Sequence, residues 1–330
     1  MISIIIPVRN RPALLDKCVQ RVKELAKGEH EIIVVDDASV GGIGMQDSDV
    51  HVLVNPVSLG PGGARNAGAR EAKGDILFFI DSDIILCADA FEIVNECITS
   101  QKYDALQGMF SAQAAYPDFF SVYKNLYWNF NQSKMDPGSY NLCTAIFAIR
   151  KETFLKLGGF NETSLVGEDR EFGVLLQKSH VRMLQAKELQ GTHYKSFNFK
   201  SLVLHHFQNA VNCGTFILKG TGISMGNRKS EILGIVLIPM LLLPIAAFFF
   251  VLKAPHILFW ICGLCVMACL FLTKDFVGYC AKQKGVLFAM AAFLMHALEY
   301  NIAFVGLAWS VVRFSLFQRK DLNFRFESIV

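Results

Sequence analysis

The chain has 330 residues and a formal net charge of +3, with 32 lysines and arginines against 29 acidic residues. Its length allows one α/β domain of roughly 200 residues and a smaller second part. The near-neutral charge gives no electrostatic case for binding nucleic acid, which is excluded from the expected partners. The hydrophobic fraction, 52%, is high for a wholly soluble protein, and the excess lies in residues 232–312.

The first part of the chain alternates predicted strands and helices. Apolar runs predict strands at 2–6, 31–35, 50–54 and 76–80, and helical periodicity predicts helices near 12–25 and 64–73. Such alternation is typical of right-handed crossovers and a mainly parallel sheet. The sequence therefore predicts an α/β fold here.

The strand predicted at 76–80 is the central feature, because Asp81 and Asp83 follow its apolar residues directly. The strand predicted at 31–35 ends likewise in Asp36 and Asp37. In open α/β sheets, ligands bind at the edge where the carboxyl ends of strands meet. Two carboxylates there can share a divalent cation that holds a diphosphate. The alternative is that Asp81 and Ser82 merely end the strand and cap the next helix.

A glycine-rich segment, Gly60-Pro61-Gly62-Gly63, precedes the second helix. It is not a P-loop, because no Gly-Lys-Ser/Thr follows, and it lacks the spacing of a dinucleotide fingerprint. It can still offer backbone N–H groups to an anion.

After Asp83 the pattern predicts a helix at 90–98, a strand at 105–110, an aromatic-rich helix at 119–130 and a strand at 142–149. Beyond these elements, three side chains can take part in catalysis or binding: Glu168, Asp169 and His193. Glu168 and Asp169 open a predicted helix, either as ordinary first-turn acids or with one facing the pocket as a general base. His193 follows an apolar run and a loop, and a lone histidine of this kind is more often structural than a ligand.

Together these segments resemble the family 2 glycosyltransferases, whose catalytic domain has the GT-A fold. The resemblance covers about residues 2–195 and rests on the order and spacing of short motifs. They are Ile5–Asn10 (IIPVRN), Val34–Ser39 (VVDDAS), Gly63–Gly68 (GARNAG), Ala72–Asp75 (AKGD), Phe79–Asp83 (FIDSD), Leu157–Phe160 (LGGF), Gly167–Asp169 (GED) and His193. The resemblance implies a GT-A nucleotide-diphospho-sugar transferase domain at 1–220 and a membrane part at 221–330.

The resemblance also implies a role for each site residue. A nucleotide-sugar donor would be bound by Pro7, Arg9, Asp36 or Asp37, Arg65 and Asp81. Mg²⁺ or Mn²⁺ would be held by Asp83, Asp81 and His193. Asp169, with Glu168 as its neighbour, matches the family's general base.

The residue types are consistent with one reaction course. One base and no evident nucleophile indicate a single displacement with inversion. A divalent cation would stabilise the leaving diphosphate. The Gln-x-x-Arg-Trp element of processive synthases is absent after Asp169, which favours addition of a single sugar over polymerisation.

The C-terminal part contains three apolar segments, at about 232–252, 254–273 and 286–312. The first two are long enough to span a bilayer, whereas His296, Glu299 and Asn301 interrupt the third, whose crossing stays open. Flanking basic residues favour cytosolic ends, and the residues from Met1 onward are expected to form a core strand rather than a signal peptide. We therefore expect a multi-pass protein of the cell membrane with a cytoplasmic catalytic domain and a lipid-linked or glycan acceptor.

Two other functions stay open. A polyprenyl-phosphate glycosyltransferase would need no general base, because its acceptor is a phosphate. A degenerate relative would be a non-catalytic membrane scaffold. The nine cysteines, including Cys262 and Cys265 in an apolar segment, are expected to be small buried hydrophobes and not metal ligands.

Overall fold

The computed structural model describes residues 1–164, 167–218 and 255–316, apart from the side chains of 255–266. It forms two compact units, one of residues 1–196 and one of the described residues from Phe197 onward. The predicted domain boundary at 220/221 and the first predicted span, 232–252, lie outside the described residues.

The first unit alternates strands and helices, as predicted. Its strands are β1 (Ile2–Val8), β2 (His30–Asp36), β3 (Val50–Val54), β4 (Ile76–Ile80), β5 (Ile84–Leu86), β6 (Ala105–Phe110), β7 (Ile146–Arg150) and β8 (Met183–His193). Its helices are α1 (Pro12–Leu25), α2 (Gly60–Glu71), α3 (Ala90–Thr99), α4 (Phe119–Ser133), α5 (Lys151–Lys156) and α6 (Glu168–Lys178).

The strands form one sheet in the order β3-β2-β1-β4-β7-β6-β8-β5. β1 pairs in parallel with β2 and β4, and β2 pairs in parallel with β3, so the predicted parallel arrangement is confirmed for these four strands. The rest of the sheet is mixed, because β7 runs antiparallel to both β4 and β6, and β5 runs antiparallel to β8. Apolar runs locate buried strands but do not give the direction of their neighbours.

Strand β4 is buried on both faces, as predicted. On one face Phe78 packs edge-on against Phe91 of α3, with ring centroids 5.6 Å apart. On the other face Phe79 stacks on Phe147 of β7, with centroids 6.1 Å apart. Burying a side chain of this size contributes roughly 2 kcal/mol. Packing on both faces therefore fixes the position of the strand end that carries Asp81.

Helix α2 packs directly on the strands that end beside it. It begins at Gly60, earlier than predicted, because the glycine-rich segment is its first turn. A Cβ atom at Gly68 would lie 2.5 Å from Ile5 Cγ2, so the close approach of α2 to β1 requires glycine there. The Asn66 side chain accepts a hydrogen bond from Phe160 N at 2.9 Å and donates one to Phe160 O at 2.8 Å. Asn66 thereby fixes the Gly158-Gly159 turn on α2.

The second unit contains the described helices α7 (Phe199–Leu218), α8 (Pro255–Lys284) and α9 (Val286–Leu316). Gly285 joins α8 to α9 with a φ of 86°, a conformation that glycine adopts readily. Helices α7 and α9 pack closely, since a Cβ on Gly306 would lie 2.7 Å from Ala210 Cβ. Small residues at this contact permit the close approach.

Among the residues described, one helix, α9, is long and apolar enough to cross a membrane. It coincides with the third predicted segment, whose crossing the sequence left open. The second predicted span, 254–273, is helical within α8 from Pro255 onward, and its crossing stays a prediction. The expected multi-pass arrangement is not supported by the described residues, which offer a single candidate span.

The polar residues that interrupt the apolar pattern of α9 lie inside the second unit. Glu299 Oε1 contacts His206 Nε2 of α7, and Glu299 Oε2 lies 3.2 Å from His296 Nδ1. The three side chains are between 5% and 11% exposed. A carboxylate placed between two imidazoles has the partners that a buried ionisable group requires. The interruption therefore marks a helix–helix contact between α7 and α9.

Candidate active site

The strand ends that the sequence singled out meet at one edge of the sheet. Val8 of β1 pairs with Asp36 of β2, and Ile5 of β1 pairs with Phe79 of β4. Asp36, the last residue of β2, and Asp81, the residue after β4, therefore lie at the ends of the two strands that flank β1. Asp81 O accepts a hydrogen bond from Ile84 N at 3.0 Å, which closes a tight turn around Asp81 and Asp83.

Asp83 is the more buried of the two acids, with 8% of its side chain exposed against 33% for Asp81. Its Oδ2 atom lies 2.5 Å from Arg11 Nη1 and 3.4 Å from His193 Nε2. Burial opposes ionisation of Asp83, but the hydrogen bond to His193 and the nearby positive charges outweigh it, so its pKa lies below the usual range. Asp83 is therefore an ionised carboxylate at neutral pH.

His193, the last residue of β8, lies next to the Asp83 carboxylate because β8 pairs with β5. Ile84 pairs with His193 across β5 and β8, and Tyr194 N donates to Asp83 O at 2.8 Å. The imidazole stacks on Phe110 with ring centroids 4.7 Å apart. Its Nδ1 atom is buried without a hydrogen-bond partner among the described residues, so ring stacking orients it.

The resemblance implies Mg²⁺ or Mn²⁺, and the pair Asp83–His193 fits such an ion. One carboxylate oxygen and one imidazole nitrogen already converge, and both are ligand types that Mn²⁺ accepts. Within the described ranges no group of three or more His, Cys, Asp and Glu side chains is suited to a metal. The other ligands would therefore come from a bound diphosphate or water. Asp81, predicted as a further ligand, contacts Arg65 through Oδ1, and its role as a metal ligand stays a prediction.

Arg65 connects Asp81, a predicted donor-binding residue, to Glu168, the neighbour of the candidate base. It lies on α2 with 4% of its side chain exposed. Its Nη2 atom is 2.6 Å from Asp81 Oδ1, and its Nη1 atom is 3.2 Å from Glu168 Oε1. Burial disfavours the charged guanidinium, but Asp81 and Glu168 outweigh that penalty, so the pKa of Arg65 is raised. One buried cation thus joins the end of β4 to the start of α6.

Glu168 and Asp169 are adjacent carboxylates at the first residues of α6, after Gly167 with its φ of 81°. Burial and the charge of Asp169 raise the pKa of Glu168 to about 7, against the opposing charge of Arg65. Burial also raises the pKa of Asp169, although Arg170 and Arg65 oppose the shift. Carboxylates whose pKa is raised by burial are suited to general-base catalysis near neutral pH.

Asp37 has a role that the sequence did not indicate. Its Oδ1 accepts hydrogen bonds from Asn55 Nδ2 at 2.9 Å and Leu59 N at 2.7 Å. Its Oδ2 accepts from Ser58 Oγ at 2.7 Å and Gly60 N at 3.0 Å. The carboxylate therefore satisfies backbone donors at the start of α2, where negative charge also favours the helix dipole. Contact of Asp37 with a nucleotide stays a prediction.

The other predicted donor residues line the same edge. Asp36 is buried and accepts a hydrogen bond from Ser39 N at 2.9 Å. Pro7 is half-buried in β1, and Arg9 is exposed just beyond it. Asn10 Oδ1 accepts from Val40 N at 2.9 Å, which ties the loop after β1 to the loop after β2. Nothing in the described contacts assigns these residues a ligand.

Two cations near Asp83 were missed in the sequence. Arg11 stands at the N-cap position of α1 and reaches Asp83 across 72 residues of sequence. Lys195 lies near Arg11, Asp83 and Asp81, and burial together with the Arg11 charge lowers its pKa. Neither residue belongs to a recognised motif. The position of Lys195, two residues after His193, was the only signal available.

Residues 3–158 match the family model described as Glycosyl transferase family 2. They contain the strands β1, β2 and β4, whose ends carry the acids described above. The chain therefore contains a family 2 glycosyltransferase domain at these residues.

Two relatives illustrate how far the likeness to other family 2 glycosyltransferases extends. An uncharacterized glycosyltransferase of Haemophilus influenzae is 29% identical over 187 residues, which are 52% of this chain and 60% of the relative. The UDP-Glc:alpha-D-GlcNAc-diphosphoundecaprenol beta-1,3-glucosyltransferase of Escherichia coli is 30% identical over 98 residues, which are 28% of this chain and 39% of that enzyme. The chain thus spans less than two thirds of the length of either relative.

A solved structure supports the fold over a longer range. The mannosyltransferase PcManGT from Pyrobaculum calidifontis, in complex with GDP-Man and Mn²⁺, superposes with a TM-score of 0.54 at 16% identity. The superposition covers 96% of this chain and 88% of that one. At this identity the likeness concerns the fold, and it confirms the GT-A fold expected for this family 2 glycosyltransferase.

Proposed function

We propose that the protein transfers one sugar, with inversion, from a nucleotide-sugar donor to a hydroxyl group of a lipid-linked or glycan acceptor at the cytosolic face of a membrane. The observation that carries the proposal is the Arg65 bridge. It places a carboxylate of the strand-end motif, Asp81, and the candidate base helix at the two ends of one guanidinium.

Each side of the bridge would contribute one part of the reaction. Asp83 and His193 would hold a divalent cation, which when bound would stabilise the leaving diphosphate. Asp81 would face the ribose and diphosphate of the donor. On the other side, Asp169 would accept the proton of the acceptor hydroxyl as it attacks the anomeric carbon. Attack from the side opposite to the leaving group inverts that carbon.

Two observations support an acceptor at the membrane. Helix α9 is a candidate span among the described residues. The name of the Escherichia coli relative states that it acts on a sugar carried by diphosphoundecaprenol. A membrane helix in the same chain as the catalytic domain would keep such an acceptor and the enzyme on one surface.

The test is a donor screen on the purified full chain in lipid nanodiscs. Release of nucleoside diphosphate is measured for a panel of UDP- and GDP-sugars, with and without Mn²⁺ and with a polyprenyl-diphosphate sugar as acceptor. We expect turnover with one donor class, and at least a 100-fold loss in both Asp83→Ala and Asp169→Asn. Absence of turnover with every donor would contradict the proposal and favour a scaffold.

The same variants distinguish the proposed function from the alternative, a polyprenyl-phosphate glycosyltransferase. A polyprenyl-phosphate glycosyltransferase attacks with a phosphate that is already ionised, so it needs no general base. In that case Asp169→Asn would retain turnover within a few-fold of the unaltered chain when polyprenyl phosphate is the acceptor. Loss of turnover in Asp83→Ala but not in Asp169→Asn would therefore identify the phosphate acceptor.

A further inference from the structure

We infer that Arg65 is a positioning residue, which holds the acidic start of α6 against the donor side of the site and does not itself bind the donor. The inference rests on the proposed function, because it concerns the general base of that reaction. It departs from the donor-binding role that the family resemblance implies for this residue.

The guanidinium of Arg65 is already engaged inside the protein. One terminal nitrogen is 2.6 Å from Asp81, and the other is 3.2 Å from Glu168. The Nε atom is buried without a partner among the described residues, and the guanidinium carbon lies 5.8 Å from the centre of the Phe160 ring. With 4% of its side chain exposed, Arg65 is almost wholly covered by the protein.

The contact between α2 and α6 is built around this bridge. Gly62 lies three residues before Arg65, which puts both on one face of α2. A Cβ atom at Gly62 would come within 3.0 Å of Glu168 Cγ and 3.2 Å of Phe160 Cβ. The absence of a side chain there lets Glu168 approach the helix, and Arg65 then reaches it. Packing and charge therefore fix the same relative position of α2 and α6.

The charges around the base explain why a cation is needed at this point. Asp169 and Glu168 are neighbours, Asp81 adds a third carboxylate, and Arg170 and Arg65 are the cations that counteract them. The buried thiol of Cys143, whose pKa is raised to about 12 by burial and by Asp169, adds no negative charge. Removing Arg65 would take one of these two cations away from the buried pair Glu168 and Asp169 and from Asp81 beside them, and carboxylates close to one another retain protons.

The consequence concerns the protonation state of the base. Asp169 accepts a proton only when it is ionised. Arg65 lowers the pKa of both Glu168 and Asp169 against the effect of burial, and so favours the ionised form of the base. Without Arg65, the pair would bind protons more tightly. The acidic limb of the pH–rate profile would then move to higher pH.

The experiment compares kcat and donor KM as functions of pH for five variants of the full chain. Arg65→Met removes the bridge, and Arg65→Lys retains the charge without the planar fork. Glu168→Gln removes one carboxylate, and Arg65→Met/Glu168→Gln removes both ends of the ion pair. Arg70→Met is the matched control, since Arg70 lies on the same helix but is 56% exposed.

We expect Arg65→Met to lower kcat at pH 7 at least 100-fold and to move the acidic limb up by at least one pH unit. The kcat of Arg65→Lys at pH 7 should lie between those of Arg65→Met and the unaltered chain. The double variant should regain at least tenfold over Arg65→Met, because one of the repelling carboxylates is gone. Arg70→Met should remain within twofold. A donor KM raised tenfold with kcat and the pH limb unchanged would instead identify Arg65 as a donor ligand and overturn the inference.

A second measurement keeps the inference testable if the proposed function fails. Thermal unfolding midpoints are measured from pH 5 to pH 8 for the same variants. Repulsion among the carboxylates should lower the midpoint of Arg65→Met more at pH 8 than at pH 5, and Glu168→Gln should reverse that loss. Independent, additive effects of the two substitutions at both pH values would contradict the bridge even in a chain without transferase activity.

Discussion

Arg11 and Asp83, 72 residues apart in sequence, are joined by a 2.5 Å contact between a terminal guanidinium nitrogen and a carboxylate oxygen. The same carboxylate oxygen faces His193, the other side chain that fits a divalent cation. Arg11 therefore lies where a cation held by Asp83 would need to bind. The arginine is about half exposed, so this ion pair contributes little to stability and can be exchanged.

We predict that Arg11→Gln strengthens Mn²⁺ binding to the nucleotide-free protein by about three- to tenfold, because a competing positive charge is removed from Asp83. The measurement is a titration of Mn²⁺ followed by the electron paramagnetic resonance of the free ion. Lys27→Gln, which changes an exposed cation paired with Glu92, is the control for net charge. Weaker Mn²⁺ binding in Arg11→Gln would contradict a competing role.

A second prediction concerns Asp37, which accepts four hydrogen bonds at the start of α2. Asp37→Ala should lower the free energy of unfolding by about 2 to 3 kcal/mol, because backbone and side-chain donors are left unpaired. Urea denaturation followed by circular dichroism measures the loss. Asp49→Ala, at an exposed surface ion pair, should cost less than about 1 kcal/mol. Equal losses in the two variants would exclude the capping role.

Glu168 makes stability depend on pH. The pKa of Glu168 is about 7 in the folded chain and 4.5 in the unfolded chain, so the folded state binds the proton more tightly. The stabilising effect of that proton is complete below pH 4.5 and is lost as the pH rises to 7. The expected loss is about 3 kcal/mol.

The check is to measure unfolding midpoints in urea at pH 5 and pH 8. Glu168→Gln should reduce the difference between the unfolding midpoints at pH 5 and pH 8. Glu152→Gln, at an exposed acid in the first turn of α5, should leave it as it is. A pH dependence that is identical in all three proteins would show that Glu168 does not titrate in this range.

The fourth prediction concerns the second unit. Gly306→Ala should destabilise it, because the added methyl group would lie 2.7 Å from Ala210 Cβ and 2.9 Å from Phe207 O. Gly278→Ala in α8 is the matched control, since no described atom lies within 4 Å of its added methyl group. Thermal unfolding in detergent should show a loss for Gly306→Ala. The control should show no loss, and alanine there favours the helix by about 0.5 to 1 kcal/mol.

Strand ends were predictable from the sequence, whereas the contacts between them were not. Five apolar residues followed by acids located β4 and its end, since a buried strand has a simple pattern. The bridge by Arg65 joins residues 16 and 103 positions away, and no local pattern reports such distances. The capping role of Asp37 was hidden for the same reason.

Two elements show where pattern reading fails. The segment before His193 was expected to be partly loop, but it belongs to the long strand β8. Its polar residues, among them Gln185 and Glu188, conceal the strand, which is defined by pairing with β6 and β5. In α9, the charged residue Glu299 left the crossing of the third apolar segment open. In the structure, Glu299 contacts His206 of α7 and His296 of α9 and lies inside the second unit.

The first two turns of α2 have a consequence for changing the donor preference. The helix is held at its first residue by Asp37 and carries Arg65 five residues later, a rise of about 7.5 Å along its axis. A substitution that shifts this segment would disturb the contacts of Asp37 and the bridge of Arg65 together. Under the proposed function, attempts to change the choice of donor should therefore keep Gly60–Arg65 constant and vary Arg9, a predicted donor-binding residue that is exposed.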